Sequence, residues 1–393
     1  MLVFLEYLHV IGAFQGLVLA CLLIFGAHNS NANKILGGWC LFLALSFLGP
    51  FITMSREVNL FSGFIGWSYF LPASYGAFLY LYCRHAITDH PLTYRDLLHT
   101  IPLLLCFLLN IELLLASPEV KLNTILDGRP ESIGILLSEL IQYLQAFIYI
   151  GFTVVLIRKY RVAAKNNLAN FNPDIFSWLW KLLILDFVIW SLFSLNGLLK
   201  ATGSISGNNL YFSTLGDGLI IILIYSIAMA QWRNPRLFKI EQLTIDTTED
   251  PENLEADSGT ANGETSSSPA TTSSGALDDN IRSGLLKVVR QHMQEQQTYL
   301  DNRLTLTSLS AAIGVSTHHL SEVLNQQEGK NFYQFVNEYR INYICERLKE
   351  DKSIKILELA MAAGFSSKST FNAVFKQFTN FTPSQYRNNL TAV

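Results

Sequence analysis

Charged residues are scarce in this 393-residue chain, with Asp, Glu, Lys and Arg making up only 15% of it; a soluble domain usually carries about a quarter. Half of the residues are hydrophobic and the mean hydropathy is +0.27, which excludes a chain that is soluble along its whole length. Paired cysteines are also missing. The five thiols, Cys21, Cys40, Cys83, Cys106 and Cys345, have no CxxC or other paired spacing, and four lie in apolar runs where a free thiol behaves as a small hydrophobe. Disulfides, a zinc site and cofactors are therefore not expected. Nor does any apolar run carry a metal-ligand cluster, a nucleophile beside its base or a phosphate loop. No catalytic residue is assigned, and an enzyme is not expected.

The formal net charge of −3 is a sum over unlike parts. Residues 1–240 hold 15 Lys and Arg against 12 Asp and Glu, 241–280 hold none against 10, and 281–393 hold 13 against 9. Length alone suggests two or three domains, and these shifts place the boundaries.

In the first part, seven apolar stretches reach about the 20 residues that a helix needs to cross a hydrocarbon core. They begin and end at about Leu2 and Phe25, Ile35 and Met54, Leu60 and Cys83, Leu97 and Ala116, Ile133 and Ile157, Phe176 and Leu199, and Leu210 and Trp232. The first has no Lys or Arg before it and is too long for the apolar region of a signal peptide, so it is expected to be retained as a span. Cationic residues stay on the cytoplasmic side of a membrane. One set of loops holds Lys34, Arg84, Arg95, Arg158, Lys159, Arg161, Lys165, Arg233, Arg236 and Lys239, while the opposite set holds only Arg56, Lys121 and Arg129, with Lys200 on a boundary. The ratio predicts a multi-pass protein of the inner (cytoplasmic) membrane, its N-terminus outside and everything after the seventh stretch in the cytoplasm.

Residues 241–280 are acidic at first and then rich in Ser, Thr, Gly and Ala. With few large apolar side chains to offset the entropy of ordering, they are expected to be a disordered linker with a span of about 35 Å. Its acidity has two readings: it keeps the tether off anionic lipid and DNA, or it is a passive spacer's.

After the linker, two stretches repeat one design: TLTSLSAAIGVSTHHLSEVL at 305–324 and ILELAMAAGFSSKSTFNAVF at 356–375. In each, a helix packing through Leu309 or Leu359 ends at Gly314 or Gly364, which takes a left-handed turn without a Cβ penalty. Val315 or Phe365 then points inward, a serine caps the next helix, and Leu320 with Leu324, or Phe371 with Phe375, anchors it. This is the helix-turn-helix layout, whose second helix is free to enter a DNA major groove. Between the copies, Phe332, Phe335, Val336, Tyr339, Tyr343, Ile344 and Leu348 recur at helical spacing and predict a long helix that fixes the distance between the two units. The expected fold is all-α: a polytopic membrane helix bundle plus a soluble α-helical domain with two helix-turn-helix units.

The segment from Ile281 to Asn389 resembles the DNA-binding domain of AraC/XylS-type transcription regulators, most diagnostically over GFSSKSTFNAVFKQFTNFTPSQYR, Gly364 to Arg387. The resemblance covers a little over a quarter of the chain. It implies two helix-turn-helix units in adjacent major grooves on one face of promoter DNA, roughly 34 Å apart. Members of that family usually carry a soluble ligand-binding domain instead of a membrane part, so the resemblance leaves the signal open.

Exposed positions expected on the first recognition helix are Thr317, His318, Ser321, Glu322 and Asn325; on the second they are Ser367, Lys368, Ser369, Thr370, Asn372 and Ala373. Asn suits adenine edges, Lys suits guanine, and Ser and Thr suit either, and base contact is expected above all from His318, Ser321, Lys368 and Asn372. Glu322 stands where the resemblance implies a basic or amide residue; it accepts from cytosine N4 or it weakens the first unit's affinity. Phosphate contacts are expected from Lys330, Arg340, Lys376 and Arg387. Four net positive charges neutralise few phosphates, which argues for a homodimer or multiple sites.

Ionisable residues inside the apolar stretches are Glu6, His9, Glu112, Glu139, Lys181, Asp186 and Asp217. A charge at the bilayer centre costs at least about 2.5 kcal/mol and normally faces a cavity or a partner, so His9, Glu112, Glu139, Asp186 and Asp217 are candidate sensor residues, whereas Glu6 and Lys181 lie near span ends where side chains snorkel. Two functions compete: a membrane-anchored, sequence-specific transcription regulator with lipid, DNA and an unknown signal ligand or membrane protein as partners, and a transporter or membrane enzyme with a helical interaction tail. Proteolytic release of the domain within 241–280 would change the mechanism of the first without changing its function.

Overall fold

A computed structural model describes residues 2–26, 30–49, 51, 66–88, 92–126, 133–171, 173–203, 210–233 and 279–391. Every regular element among them is helical. The chain divides into two compact units, Met1–Tyr160 with Asp174–Thr244, and Arg161–Pro173 with Ile245–Val393.

The first unit begins with α1 (Leu2–Phe25) and α2 (Asn31–Ser46). Ser30 caps α2 by accepting from the Asn33 amide at 3.1 Å. The two helices cross closely because small residues meet there: a Cβ added at Gly16 would lie 2.9 Å from the Ala44 Cβ, and one at Gly37 would lie 3.2 Å from the Ala20 carbonyl. Apart from Glu6, His9 and Gln15, α1 is apolar on every face. Leu19 and Leu23 are buried, while Phe14, Leu22 and Phe25 are exposed, the pattern of a helix with apolar surroundings on every side.

The next apolar stretches are interrupted. α3 (Trp67–Phe70) passes through a 3-10 turn, Leu71–Ser74, into α4 (Tyr75–Ile87). Pro72 stands at the start of that turn, where its missing N–H is tolerated. A second 3-10 segment, Tyr94–Thr100, precedes α5 (Ile101–Leu109), α6 (Ile111–Leu115) and α7 (Pro118–Leu126). The break at Asn110 is held by its own side chain, which donates to the Cys106 carbonyl (2.9 Å) and to Ser138 Oγ (2.7 Å). Long helices follow: α8 (Ile133–Asn167), α9 (Pro173–Ala201) and α10 (Leu210–Arg233).

Three segments, Tyr7–Phe25, Ile133–Asn167 and Pro173–Ala201, are long and apolar enough to cross a membrane by length and composition, and Thr214–Ala230 is a shorter apolar helix. The other three expected stretches are shorter or broken where described, and 52–65, which holds the end of the second and the start of the third, lies outside the described residues.

The second unit contains α11 (Asp279–Gln296), a 3-10 turn at Thr298–Leu300, α12 (Leu306–Ile313), α13 (Thr317–Gln327), α14 (Phe332–Glu350), α15 (Ile356–Ala362), α16 (Lys368–Thr379) and α17 (Pro383–Thr391). The linker expected at 241–280 falls outside the described residues except for Asp279 and Asn280, which open α11. Two apolar cores share α14. Its first half packs Phe332, Phe335 and Val336 with Leu309, Leu320 and Leu324, and its second half packs Ile341, Ile344 and Leu348 with Leu359, Phe371 and Phe375. The long helix expected between the repeats is therefore the common wall of both. The unit also takes in Arg161–Pro173, residues that composition alone leaves with the first 240.

The two turn glycines differ in what surrounds them. Gly314 has φ +79° and open space at its Cβ position, whereas a Cβ at Gly364 (φ +90°) would stand 2.8 Å from the carbonyls of both Tyr299 and Leu300. Gly314→Ala should cost roughly 1–2 kcal/mol for the left-handed conformation, and Gly364→Ala more, because backbone has to move as well. The temperature at which 281–393 becomes protease-sensitive in the full chain measures this, and equal shifts for the two variants would contradict it.

Candidate nucleic-acid interface

Both turns close in the same way. The Val315 amide donates to the Ser310 carbonyl (3.0 Å), and the Phe365 amide donates to the Ala360 carbonyl (3.1 Å). Each bond satisfies a carbonyl at a helix end across a left-handed glycine. Ser316 Oγ accepts from the His319 amide and Ser367 Oγ from the Thr370 amide, both at 3.1 Å. The capping serine follows the glycine by two residues in the first repeat and by three in the second.

On α13, the helix expected to be the first recognition helix, Thr317, His318 and Asn325 are exposed and Ser321 is half-buried. His318, Ser321, Glu322, Asn325 and Gln326 line one shallow, open depression. Glu322 is committed within the protein: its carboxylate accepts from Arg282 of α11, from Nη2 at 3.0 Å and from Nε at 3.2 Å, with His318 Nδ1 at 4.0 Å. Arg282 in turn reaches Asp279 at 2.7 Å.

On the second, α16, Lys368, Ser369, Asn372 and Ala373 are exposed. Thr370, expected to face DNA, is only 2% exposed. Its hydroxyl accepts from Ser367 Oγ at 2.8 Å, which makes it part of the cap.

The cations expected to meet phosphate are divided by their surroundings. Lys376 is exposed and Arg387 half-buried. Lys330 is held between Glu338 (2.5 Å) and Glu328 (3.3 Å), and Glu328 also accepts from Arg290 at 2.9 Å. Although burial acts the other way, the hydrogen bonds and charges of Glu338 and Glu328 raise the Lys330 ammonium above the usual lysine value.

Arg340 is wholly buried, which corrects the expectation of a phosphate contact. Its Nε donates to the Tyr299 carbonyl (2.7 Å), Nη2 to the Asp301 carbonyl (2.8 Å), and Nη1 to Asn170 Oδ1 (3.0 Å) and the Ala169 carbonyl (3.2 Å). The guanidinium lies 5.6 Å from the centre of the Phe365 ring. Burial lowers its pKa to about 10, so it stays protonated at neutral pH. Its spacing from Val336 and Ile344 on one helix face carries the signal for this burial; the Arg282–Glu322 pair has no such signal.

Of the ionisable residues expected inside the apolar stretches, His9 and Asp217 meet each other. His9, only 4% exposed, places Nε2 2.9 Å from Asp217 Oδ2. Glu139 accepts from the Tyr69 hydroxyl. Asp186 is buried, and its Oδ2 has no hydrogen-bond partner among the described residues. Glu112 and Lys181 are exposed, and the Glu6 side chain lies outside the described residues.

Residues 309–389 match a family described as a helix-turn-helix domain. Over 91 residues the chain is 38% identical to an uncharacterised HTH-type transcriptional regulator of Staphylococcus aureus (strain COL), a match covering 23% of this chain and 12% of that protein. It is 27% identical over 115 residues to the probable transcription factor PqrA of Proteus vulgaris, covering 29% of this chain and 89% of the other. It is 30% identical over 95 residues to the HTH-type transcriptional regulator GlxA of Rhizobium meliloti (strain 1021), covering 24% of this chain and 29% of that one. The C-terminal part is thus a helix-turn-helix domain similar to those of transcriptional regulators.

Arg340→Ala would leave buried carbonyls without a donor and should destabilise the second unit by about 3 kcal/mol or more, while Lys376→Ala should leave its stability unchanged. Protease-sensitivity temperatures of the full-length variants check this; comparable shifts would contradict the assignment of Arg340 to the core.

Proposed function

We propose that the chain is a membrane-anchored, sequence-specific DNA-binding transcription regulator of AraC/XylS type. Residues 1–240 form a seven-span signal-input domain of the inner membrane with the N-terminus outside, 241–280 tether it, and 281–393 read promoter DNA in the cytoplasm as a homodimer. The observation that carries this reading is the pair of helix-turn-helix units on α14, each offering the polar side of a capped second helix.

On this reading His318, Ser321, Lys368 and Asn372 make the principal base contacts, with Thr317, Asn325 and Ser369 beside them, and Lys376 and Arg387 meet phosphate. Glu322, neutralised by Arg282, limits the first unit's affinity and leaves the second as the stronger reader. His9 with Asp217, Glu139, Asp186 and Glu112 are the sensor candidates. A signal shifts the equilibrium only by binding two states of the protein unequally.

Lys368→Ala and Asn372→Ala should each weaken binding to a duplex selected from a random pool by about 1–3 kcal/mol and relax base preference at one position, while Lys376→Ala should lower the dependence of log K on log salt by about 1. Unchanged binding in all three would sink the interface. For topology, a reporter active only outside the membrane, fused after residue 240, should stay silent; activity there would overturn the orientation.

A further inference from the structure

We infer that residues 168–171 form a strap that clamps the two helix-turn-helix units in one register, so that the apolar helices α8 and α9, which the strap joins, have a covalent handle on DNA reading. The last step rests on the function proposed above; the clamp does not.

The strap belongs to the second compact unit and its polar groups are used there. Leu168 makes an isolated antiparallel bridge with Thr305, the N-cap of α12. The Ala169 amide donates to the Leu304 carbonyl at 3.2 Å. The Ala169 carbonyl accepts from Arg340 Nη1 (3.2 Å) and Asn337 Nδ2 (3.3 Å), and Ala169 itself is part of the first core at 0% exposure. The Phe171 ring meets Tyr333 edge-on at 5.8 Å.

Asn170 carries the argument furthest. Its Oδ1 accepts from Arg340 at 3.0 Å, while its Nδ2 donates to the Asn302 carbonyl (2.5 Å) and to the Gly364 carbonyl (2.9 Å). Asn302 lies three residues before the cap of the first unit, and Gly364 is the turn of the second. One amide side chain therefore bridges the loop that enters one helix-turn-helix and the turn of the other, across the arginine at the centre of α14. Without the strap, Nη1 of Arg340 would keep only Asn337 Oδ1, at 3.5 Å, and a buried charged donor left so poorly satisfied is costly. The docked strap is thus the state in which the two readers keep a fixed separation, as binding of adjacent major grooves about one helical turn apart requires.

The test uses the full chain in lipid nanodiscs. Hydrogen exchange should find the Ala169 amide and the segments 302–308 and 362–367 protected, and Asn170→Ala should speed exchange in all three by about tenfold or more. In the same preparations, Asn170→Ala should lower affinity for a pool-selected duplex with two half-sites one helical turn apart by about tenfold, and leave affinity for a single half-site unchanged. Fast exchange at Ala169 in the wild type, or acceleration confined to the strap, overturns the clamp. Equal losses on both duplexes overturn the control of register. If the wild type binds no duplex while its strap is protected, the DNA-reading function falls and the clamp stands.

Discussion

The second unit is organised around one buried charge. A guanidinium presents five N–H donors in a rigid fork and stays protonated, and placing it among apolar side chains requires acceptors close by. Arg340 finds them in main-chain carbonyls and two side-chain amides rather than in a carboxylate. Carbonyls are supplied by chain segments, so satisfying the charge means bringing segments together. Tyr299 and Asp301 hold the loop before the first repeat, Ala169 and Asn170 bring in a distant strand of chain, and the Phe365 ring closes the side toward the second repeat. Together with the two apolar cores on α14, this one side chain near its middle ties the loop before α12 to the turn after α15.

The two repeats share a backbone and differ in surface chemistry. Each has a left-handed glycine, the same carbonyl-closing bond and a serine cap. In the first, the carboxylate of Glu322 is paired with Arg282 of α11, which also meets Asp279. The second exposes Lys368 at its start and Lys376 two turns later with no carboxylate on the same helix. The exposed positive charge of the two helices therefore lies mainly on α16, while α11 holds the carboxylate of α13 from a position outside the repeat.

How much of this was legible in the sequence depends on the range of the interaction. Local signals were sufficient for the turns, the caps and the apolar anchors, because glycine, serine and i, i+4 spacing act within one or two helical turns. Residue type places Arg340 and Thr370 on the surface, although Arg340 sits in register with Val336 and Ile344; here burial is set by the helix face and the charge is accommodated within it. The contacts of Asn170 reach residues 132 and 194 positions away, beyond any local pattern. Hydropathy found where apolar helices lie, but the interruptions near Pro72 and Asn110 depend on particular main-chain and side-chain bonds that a window average removes.

Long-range pairs also bear on direction within the first unit. His9 meets Asp217 and Gln15 meets Tyr225, so the contacts advance in the same sense along α1 and α10, and the two helices run parallel. These polar pairs therefore do more than offset the cost of polar groups in apolar surroundings: they fix the relative sense of the helix that opens the chain and the helix that leads toward the DNA-binding unit.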